Sequence, residues 1–377
     1  MNRLKDDLER LRCRIESAAK GNLPAPFFSL ETALSVLSIL YGGVMGIRAL
    51  LYRKGVLPSE TLPCRVVSIG NLIAGGTGKT PMTIMVAQCI RDLGFRVVVI
   101  SRGYRGRMED AGGIVSDAET VLQGPENAGD EPFLMAGLLK GIPVVVGRRR
   151  FDSGMMAVKR FQPDVIVLDD AFQHLRLKRD LNLVLLDSRS PFANGRLLPR
   201  GLLREPLSAL KRAHAIVYTR CQDDGLPSGR GALPVSRPVF YTDHIPVIRR
   251  AEPGDGALFR EPMDLSALKG RKTVAFSGLA DNRQFFHSLK QAGCELVHAF
   301  SFPDHHRYGS GDLKRIAETA RKTDADVVAT TYKDFVKIEG ETRWPVALVA
   351  IDVEIRLFGD RTHFLNFISE GLSEADG

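Results

Sequence analysis

The amino-acid sequence predicts an α/β protein with a mostly parallel sheet flanked by helices and a smaller α/β domain toward the C-terminus. Two observations predict this class. From residue 60 onward, short apolar runs alternate with helical patterns, which is typical of parallel sheets with crossover helices. The first apolar run also leads into a glycine-rich turn and then a helix, which is how such sheets begin a phosphate site.

The glycine-rich turn is the most specific motif. Residues 75–80 are Gly-Gly-Thr-Gly-Lys-Thr and follow the apolar run 65–70. Glycines let backbone N–H groups approach anionic oxygens, and Lys79 and Thr80 are expected to reach the β/γ-phosphates and Mg²⁺. Because Ile73 stands where the strict pattern has glycine, this is an atypical loop of a P-loop NTPase-like sheet. The predicted nucleotide-binding residues are Gly75, Gly76, Thr77, Gly78, Lys79 and Thr80.

The remaining elements follow from apolar runs bounded by turn signals. Strands are expected at 66–70, 96–101, 143–147, 165–170, 183–187 and 215–219, with a helix at 81–93. A second set comprises strands at 273–277, 296–300, 327–331 and 347–353 and helices at about 282–292 and 311–322. Residues 223–237 are rich in Gly, Pro, Ser and Asp and are predicted to separate two domains. The predicted divisions are a helical, membrane-associating segment at 1–55, a P-loop core at 56–225 and a smaller domain at 235–377.

Composition limits the class of partner. A net charge of +8 and an isoelectric point near 9.3 indicate an anionic partner, which is a nucleic acid, a phospholipid surface or a phosphorylated substrate. The five cysteines are scattered without metal-binding spacing, which argues against a disulfide framework or a zinc site. Basic residues are dispersed and no groove-reading module is present, so nucleic-acid binding is the weakest of these alternatives.

The N-terminal region favours a membrane surface. Residues 3–20 are charged and look helical, so no signal peptide is predicted. Residues 32–47 form an uncharged, mostly apolar run of 16, closed by Arg48, Arg53 and Lys54. This run is short for a spanning helix, which needs about 20 apolar residues, and an interfacial helix fits better. A buried core helix of the same length is the alternative.

A buried strand that ends in carboxylates should complete the phosphate site. Residues 165–170 are Val-Ile-Val-Leu-Asp-Asp, which delivers Asp169 and Asp170 to the carboxyl edge of the sheet. Such a carboxylate holds Mg²⁺ or its waters in phosphoryl transfer. If the strand continues, the two aspartates point to opposite faces and serve different purposes. A strand-terminating turn is the alternative.

The motifs together resemble one family. Residues 169–174, Asp-Asp-Ala-Phe-Gln-His, are similar to the Asp-Asp-Gly-Phe-Gln-His element of the tetraacyldisaccharide 4′-kinases, the lipid A 4′-kinases of Gram-negative bacteria. Residues 68–71 with 75–81 resemble their phosphate loop. Elements similar to the family's, in the family's order, also occur at 101–104, 129–132, 198–205 and 302–306. The resemblance runs from about residue 25 to 355. Ala171 replaces a glycine and Tyr332 a glutamate, and both departures bear on local backbone shape.

The resemblance implies an activity. It is ATP-dependent phosphorylation of the 4′-hydroxyl of a tetraacylated glucosamine disaccharide 1-phosphate, which gives lipid IVA in lipid A biosynthesis. The implied cofactors are ATP and Mg²⁺; no adenine-reading motif is recognisable, so ATP rather than GTP rests on the resemblance. The implied location is the cytoplasmic face of the bacterial inner membrane, with the lipid surface as partner, no nucleic acid and no obligate protein partner.

The resemblance also assigns residues. A sugar hydroxyl needs a base near the γ-phosphate, and Asp130 is implied in that role, although its place before Glu131-Pro132 also suits a helix N-cap. His305 is implied as its partner across the domain cleft; His305 and His306 also suit metal ligation or a solvated loop. The implied catalytic residues are Asp130, His305 and Lys79. The candidate metal ligands are Thr80, Asp169, Asp170 and Glu131. The candidate substrate-binding residues are Arg204, Tyr104 and Arg102, and further candidate phosphate-binding arginines are Arg148, Arg149, Arg150 and Arg200.

Two other classes of protein stay open. A soluble small-molecule or nucleotide kinase with the same core would work without detergent and without residues 1–55. A nucleotide switch at the membrane would hydrolyse ATP slowly and would need no acceptor base, so replacing Asp130 would change nothing.

Overall fold

The computed structural model describes residues 29–221, 235–251, 263–279, 281–338 and 343–373. The helix predicted at 3–20 and most of the boundary predicted at 223–237 lie outside these residues. The chain forms two compact units. Unit 1 comprises Met1–Ile100, Arg150–Asp243 and Arg356–Gly377, and unit 2 comprises Ser101–Arg149 and His244–Ile355. Residues 101–149, which fall within the core predicted at 56–225, therefore group with the C-terminal part of the chain.

The helices and strands are numbered here in chain order. Those of the first half are α1 (Leu30–Arg53), β1 (Arg65–Asn71), α2 (Lys79–Asp92), β2 (Val97–Ser101), β3 (Gly113–Ser116), α3 (Pro125–Ala128), α4 (Asp130–Leu138), β4 (Val144–Val146), α5 (Arg150–Phe161), β5 (Val165–Leu168), β6 (Leu181–Asp187) and β7 (Ala215–Thr219). Those of the second half are β8 (Val239–Ala251), β9 (Met263–Asp264), β10 (Lys272–Ser277), α6 (Asn282–Gln291), β11 (Glu295–Ser301), α7 (Ser310–Lys322), β12 (Val327–Thr331), α8 (Tyr332–Phe335), β13 (Ala347–Leu357) and α9 (Arg361–Ser373).

The predicted fold class is confirmed. Every strand and helix predicted after residue 60 is present with its ends shifted by a few residues. The helix expected after Asp130 is also present, as α4, and the elements that were not predicted are β3, β8, β9, α3, α5, α8 and α9. Elements β3, β9, α3 and α8 have only two to four residues. Strand β8 carries charges and a proline that interrupt the apolar pattern.

In unit 1 the strand order is β8-β7-β6-β1-β5-β2, with every neighbouring pair parallel. Strands β5 and β6 are buried along their whole length and β1 along all but its first residue, as expected when both faces of a parallel sheet are covered. The register pairs Ser68 with Leu168 and Asn71 with Leu185. The carboxyl ends of three neighbouring strands therefore meet at one edge, beside the start of the glycine-rich turn.

In unit 2 the strand order is β11-β10-β12-β13-β8, with β9 paired to β8, and β3 and β4 pair in an antiparallel manner. Strands β10 and β12 are almost wholly buried, and they pair in parallel. Helices α6 and α7 both contact β10. Their core includes Ile248, Phe285, Ala329 and Val349. Like unit 1, this is a mostly parallel α/β arrangement, and it places the ends of β10 and β12 on one side of the sheet.

Helix α1 is largely exposed on its apolar face. Val44 and Ile47 are about 60% exposed and Ile39 is 74% exposed, which rules out the buried core helix as an interpretation. By length and composition alone this 24-residue helix could cross a membrane, since an 18-residue stretch of it has a mean hydropathy of 1.8. Its other face is attached to unit 1, because the Ser38 hydroxyl donates to Leu197 O and the Tyr41 hydroxyl donates to Arg204 O, both at 2.7 Å.

The close approach of β1 to residues 169–174 requires glycine at position 70. A Cβ at Gly70 would lie 2.6 Å from Phe172 Cβ and 2.8 Å from Phe172 N, and backbone atoms cannot move aside cheaply. We expect Gly70→Ala to lower the free energy of unfolding by about 1–3 kcal/mol, the usual cost of overpacking. Urea unfolding followed by circular dichroism measures this change.

Gly43→Ala is the matched control, because a Cβ at Gly43 in α1 meets nothing within 4 Å. Its stability should equal or slightly exceed that of the wild type, since alanine favours helix. Equal unfolding midpoints for wild type and Gly70→Ala would contradict the packing argument.

Candidate active site

The glycine-rich turn is held by contacts on both of its sides. Asn71 Nδ2 donates to Thr77 Oγ1 at 2.8 Å, and the Thr219 hydroxyl donates to Thr77 O at 3.2 Å. Gly78 has φ +82° and caps α2, which begins at Lys79 as the motif predicts. A Cβ at Gly75 would meet nothing within 4 Å, so the turn borders open space. This arrangement can place backbone N–H groups and a helix N-terminus around an anion.

Lys79 lies next to the carboxylate of Asp170. Lys79 Nζ is 3.8 Å from Asp170 Oδ1 and donates to Gly75 O at 3.2 Å. Arg204 Nη1 donates to both Asp170 oxygens at 3.0 and 3.1 Å. Asp170 therefore links the lysine of the turn with an arginine that was predicted to bind substrate.

The two aspartates at the end of β5 do not continue the strand. Strand β5 ends at Leu168, and Asp170 has φ +46°, a left-handed conformation that short polar residues tolerate. The expectation of two alternating aspartates on a continuing strand is therefore wrong. Asp169 is buried and accepts from the Thr83 hydroxyl at 3.1 Å, whereas Asp170 is partly exposed.

The donor atoms near the turn suit magnesium. Thr80 supplies a hydroxyl and Asp169 and Asp170 supply carboxylates, which are the hard oxygen ligands that Mg²⁺ prefers. Within the described ranges no cluster of three or more His, Cys, Asp or Glu side chains could hold a metal, and Mg²⁺ usually needs only one or two carboxylates besides phosphate. Glu131 is exposed and belongs to unit 2. These metal roles remain predictions.

Residues 171–173 attach the aspartates to β1. Phe172 is fully buried against Gly70, and Gln173 Nε2 donates to Asn71 O at 2.8 Å. Ala171 is not among the described residues with positive φ, so alanine is tolerated where the family usually has glycine. Its carbonyl accepts from Arg179 at 3.0 Å. This departure therefore leaves the backbone shape intact.

His174 ends the same element in a cationic environment. Burial, with the charges of Arg150 and Arg179 and then of Arg48 and Arg176, lowers the pKa of His174 to about 4. The imidazole is therefore neutral at physiological pH. Its place in the fold is structural, because its carbonyl accepts from Arg179 at 2.7 Å.

A separate group of candidate residues lies in unit 2, where Asp130 contacts His305. His305 Nδ1 is 3.0 Å from Asp130 Oδ2. Gly129, with φ +87°, is the N-cap of α4 and Asp130 is its first helical residue, so the N-cap interpretation of Asp130 is wrong. His305 itself has φ +59°. Both side chains belong to one compact unit, whereas the resemblance implied a pair across a domain cleft.

Two lysines surround this pair. Lys337 Nζ is 3.2 Å from Asp130 Oδ2, and Lys333 Nζ lies 3.4 Å from His305 Nε2 and 3.4 Å from Asp304 Oδ1. An ammonium group only donates hydrogen bonds, so Nε2 must accept from Lys333. Nδ1 then carries the proton and donates to Asp130. The contacts assign this tautomer to the neutral ring.

The charge state of Asp130 follows from these neighbours. Burial raises the pKa of the Asp130 carboxyl, but the hydrogen bond from His305 and the charge of Lys337 outweigh burial. The net pKa therefore lies below its usual value, and the carboxylate is ionised at neutral pH. An ionised carboxylate beside a histidine can accept a proton from a hydroxyl group.

The other candidates occupy different environments. His306 Nε2 pairs with Asp312 Oδ2 at 3.0 Å and its ring stacks on Phe302, so His305 rather than His306 contacts Asp130. Tyr104 is half-exposed and its ring lies edge-on to His305, with centroids 6.2 Å apart. Arg102 Nε donates to Glu109 at 2.7 Å.

Not all predicted arginines are surface charges. Arg150 and Arg200 are almost fully buried, so they cannot serve as exposed headgroup ligands. Arg148 is exposed beside Asp110. The sequence does not predict a role for Lys337, because nothing in its local sequence distinguishes it; Lys333 directly follows Tyr332, and it too is given no role by the sequence.

Comparison with known proteins finds the same family over nearly the whole chain. The model of the family described as tetraacyldisaccharide-1-P 4′-kinase matches residues 30–373. A tetraacyldisaccharide 4′-kinase of Desulfatibacillum aliphaticivorans is 41% identical over 370 residues, which are 97% of this chain and 99% of that protein. One of Geobacter metallireducens is 44% identical over 305 residues, 81% of this chain and 88% of that protein. A crystal structure of the "apo" form of LpxK from Aquifex aeolicus in complex with ATP is 32% identical, covers 91% of this chain and 100% of that one, and has a TM-score of 0.74.

The low pKa of His174 predicts a pH-dependent stability. The unfolded imidazole binds a proton below about pH 6.5 but the folded one only near pH 4, so stability is complete above 6.5 and falls as the pH drops toward 4. Across this window the wild type should lose on the order of 2–3 kcal/mol of its free energy of unfolding, and His174→Gln should not show this loss. Urea unfolding at several pH values measures the difference between wild type and variant.

His287→Gln is the control, since His287 is exposed on α6. It should keep the wild-type pH dependence. Identical slopes for wild type and His174→Gln would show that His174 is protonated in the folded protein.

Proposed function

Because the chain belongs to the tetraacyldisaccharide-1-P 4′-kinase family, we propose that it transfers the γ-phosphoryl group of ATP to the 4′-hydroxyl of a tetraacylated glucosamine disaccharide 1-phosphate. The product is the 4′-phosphorylated lipid A precursor, lipid IVA. The observation that supports the acceptor chemistry best is the Asp130–His305 pair, at 3.0 Å, in a chain that also carries a phosphate loop.

On the donor side the residues of the loop hold the triphosphate. Backbone N–H groups of residues 75–80 and the N-terminus of α2 bind phosphate oxygens, and Lys79 neutralises the β/γ-phosphates. We assign Thr80, Asp169, Asp170 and Glu131 to magnesium or its waters. The ion supplies charge neutralisation on the phosphates when it is bound. Lys79 also lies 3.8 Å from Asp170, which places its ammonium group beside the loop.

On the acceptor side Asp130 is the base. Its carboxylate accepts the proton of the 4′-hydroxyl while the hydroxyl oxygen forms a bond to the γ-phosphorus. The bond between that phosphorus and the β–γ bridging oxygen breaks, and ADP leaves with its electron pair. His305 donates Nδ1–H to Asp130 and thereby orients the carboxylate. Arg204, Tyr104 and Arg102 are the proposed contacts of the sugar and its 1-phosphate.

A nucleotide switch is the second candidate, and the acceptor pair argues against it. A switch needs no ionised carboxylate supported by histidine and lysine. A soluble kinase would have no use for an apolar helix face that is exposed over several turns. Both observations favour a kinase that works on a lipid.

The proposed location is the cytoplasmic face of the inner membrane. The exposed face of α1 carries Val36, Ile39, Val44 and Ile47, while Ser38 and Tyr41 attach the helix to unit 1. A helix attached along one side suits burial in one leaflet better than an independent span. The cytoplasm also supplies the ATP.

The base assignment makes a direct prediction. Asp130→Ala should lower turnover by roughly 10²–10⁴-fold, or about 3–5 kcal/mol of barrier, with little change in ATP affinity, because only the proton acceptor is lost. Transfer of ³²P from γ-labelled ATP to tetraacyldisaccharide 1-phosphate in detergent micelles measures turnover. The function is rejected if wild type labels no lipid while it binds ATP.

Asp312→Ala is the matched control, because it breaks a different histidine–aspartate contact of unit 2, that with His306. It should retain near wild-type turnover. Equal turnover of Asp130→Ala and wild type would show that Asp130 is not the base. It would not contradict the assignment of residues 75–80 to the triphosphate.

The exposed face of α1 predicts membrane binding. Replacing Ile39, Val44 and Ile47 together by glutamine should reduce recovery with vesicles, because each buried side chain contributes about 2 kcal/mol. The KM for lipid should rise more than the KM for ATP. Flotation with vesicles that contain phosphatidylglycerol measures binding.

Val121 and Leu122, exposed apolar residues of unit 2, provide the control when both are replaced by glutamine. This variant should float like the wild type. Unchanged flotation of the α1 variant would exclude this face as the membrane contact.

A further inference from the structure

The segment 331–338 contacts the acceptor pair twice, although no role has been given to it above. It contains Lys333, which reaches His305, and Lys337, which reaches Asp130. The side chain of Lys337 is only 10% exposed, so its position is set by its neighbours. These neighbours are two carboxylates, Asp130 at 3.2 Å and Asp334 at 3.3 Å.

Asp334 is anchored independently of Lys337. Its side chain is fully buried, and its Oδ2 accepts from Gly278 N at 2.8 Å and from the Thr331 hydroxyl at 2.7 Å. Its Oδ1 faces Lys337. Two neutral donors and one ammonium therefore satisfy a carboxylate that water cannot reach. The anchored Asp334 fixes the ammonium group of Lys337.

Gly278 closes these contacts into a ring. Gly278 N donates to Asp334, and Gly278 O accepts from His305 N at 3.3 Å. The ring runs from Asp130 to Lys337, Asp334, Gly278 and His305 and back to Asp130. A Cβ at Gly278 would lie 3.1 Å from both Asp334 Oδ1 and Pro303 O. A side chain at this position would therefore crowd the atoms of the ring.

From this geometry we infer that Lys337 is a positioning residue of the acceptor base, which holds the Asp130 carboxylate in place relative to His305. The inference rests on the proposed function, since it assigns Lys337 to the same site. A positioned carboxylate needs no reorganisation when the hydroxyl arrives, and a displacement of about 1 Å at such a site costs on the order of 10²-fold in rate. Lys337 acts through Asp130 and does not itself touch the reacting atoms.

A purely structural role, neutralising buried Asp334, is the competing explanation. The two differ in what Lys337→Met changes. Positioning predicts that kcat for labelled lipid falls roughly 10- to 100-fold while the KM for ATP stays within about two-fold of wild type. Lys337→Arg should recover much of kcat, because a guanidinium group can donate to both carboxylates at once.

Lys337→Met leaves Asp334 buried without its cation and could unfold the protein. The double variant Lys337→Met/Asp334→Asn removes the pair together, which buried pairs tolerate better than loss of one partner. It should melt close to wild type and remain deficient in kcat. Lys314→Met, an exposed lysine on α7, is the control and should keep wild-type kcat and KM.

The measurements are ³²P transfer to the lipid in micelles, ATP binding and thermal melting for all five proteins. Wild-type kcat in the folded double variant would overturn the positioning role. The role would also be overturned if Lys337→Arg lost as much kcat, and as much melting temperature, as Lys337→Met. No lipid labelling by wild type would instead reject the proposed function. Active wild type with an unimpaired Lys337→Met would reject this inference alone.

Discussion

The pairing of β1 with β5 on one side and β6 on the other is the constraint on which the glycine-rich turn and its neighbouring aspartates depend. Parallel strands that share a register end at the same edge, so Asn71, Asp169 and Asp187 reach that edge together. The glycine-rich turn then has to leave β1 there, and Gly70 lets residues 169–174 pack against the strand. The turn, the aspartates and the arginine at position 204 are consequences of one strand order.

The Asp130–His305 pair depends on charge compensation, whereas the glycine-rich turn depends on strand order. Asp130, Asp304 and Asp334 would repel one another if they were ionised in a partly buried site, and Lys333 and Lys337 are placed between them. The ammonium groups contact these carboxylates, and the carboxylates in turn hold the ammonium groups in place. Such a network is sensitive to the loss of any member, because one uncompensated charge remains in a region of low dielectric.

The glycine-rich turn and the elements on either side of it could be predicted because their signals are local. A short apolar run, a turn of glycines and a Gly-Lys-Thr sequence are contiguous, and they specify β1, the loop and α2 directly. Strand β8 could not be predicted, since Asp243 and Pro246 interrupt its pattern and its Arg249 is stabilised by Asp352 from distant β13. The contact of His305 with Asp130 came from family resemblance. The role of Lys337 has no local signal at all, because it exists only once β12 and α4 are brought together.

The order of the two units along the chain has a consequence for synthesis. Asp130 and His305 are 175 residues apart, and unit 2 is built from 101–149 and 244–355 with a segment of unit 1 between them. A chain emerges from the ribosome from its N-terminus, and contacts of long sequence separation wait for their later partner. A nascent chain that stops short of residue 305 thus already carries the whole glycine-rich loop but no complete acceptor pair. A product that ends before residue 305 therefore contains the glycine-rich loop without the proposed Asp130–His305 pair.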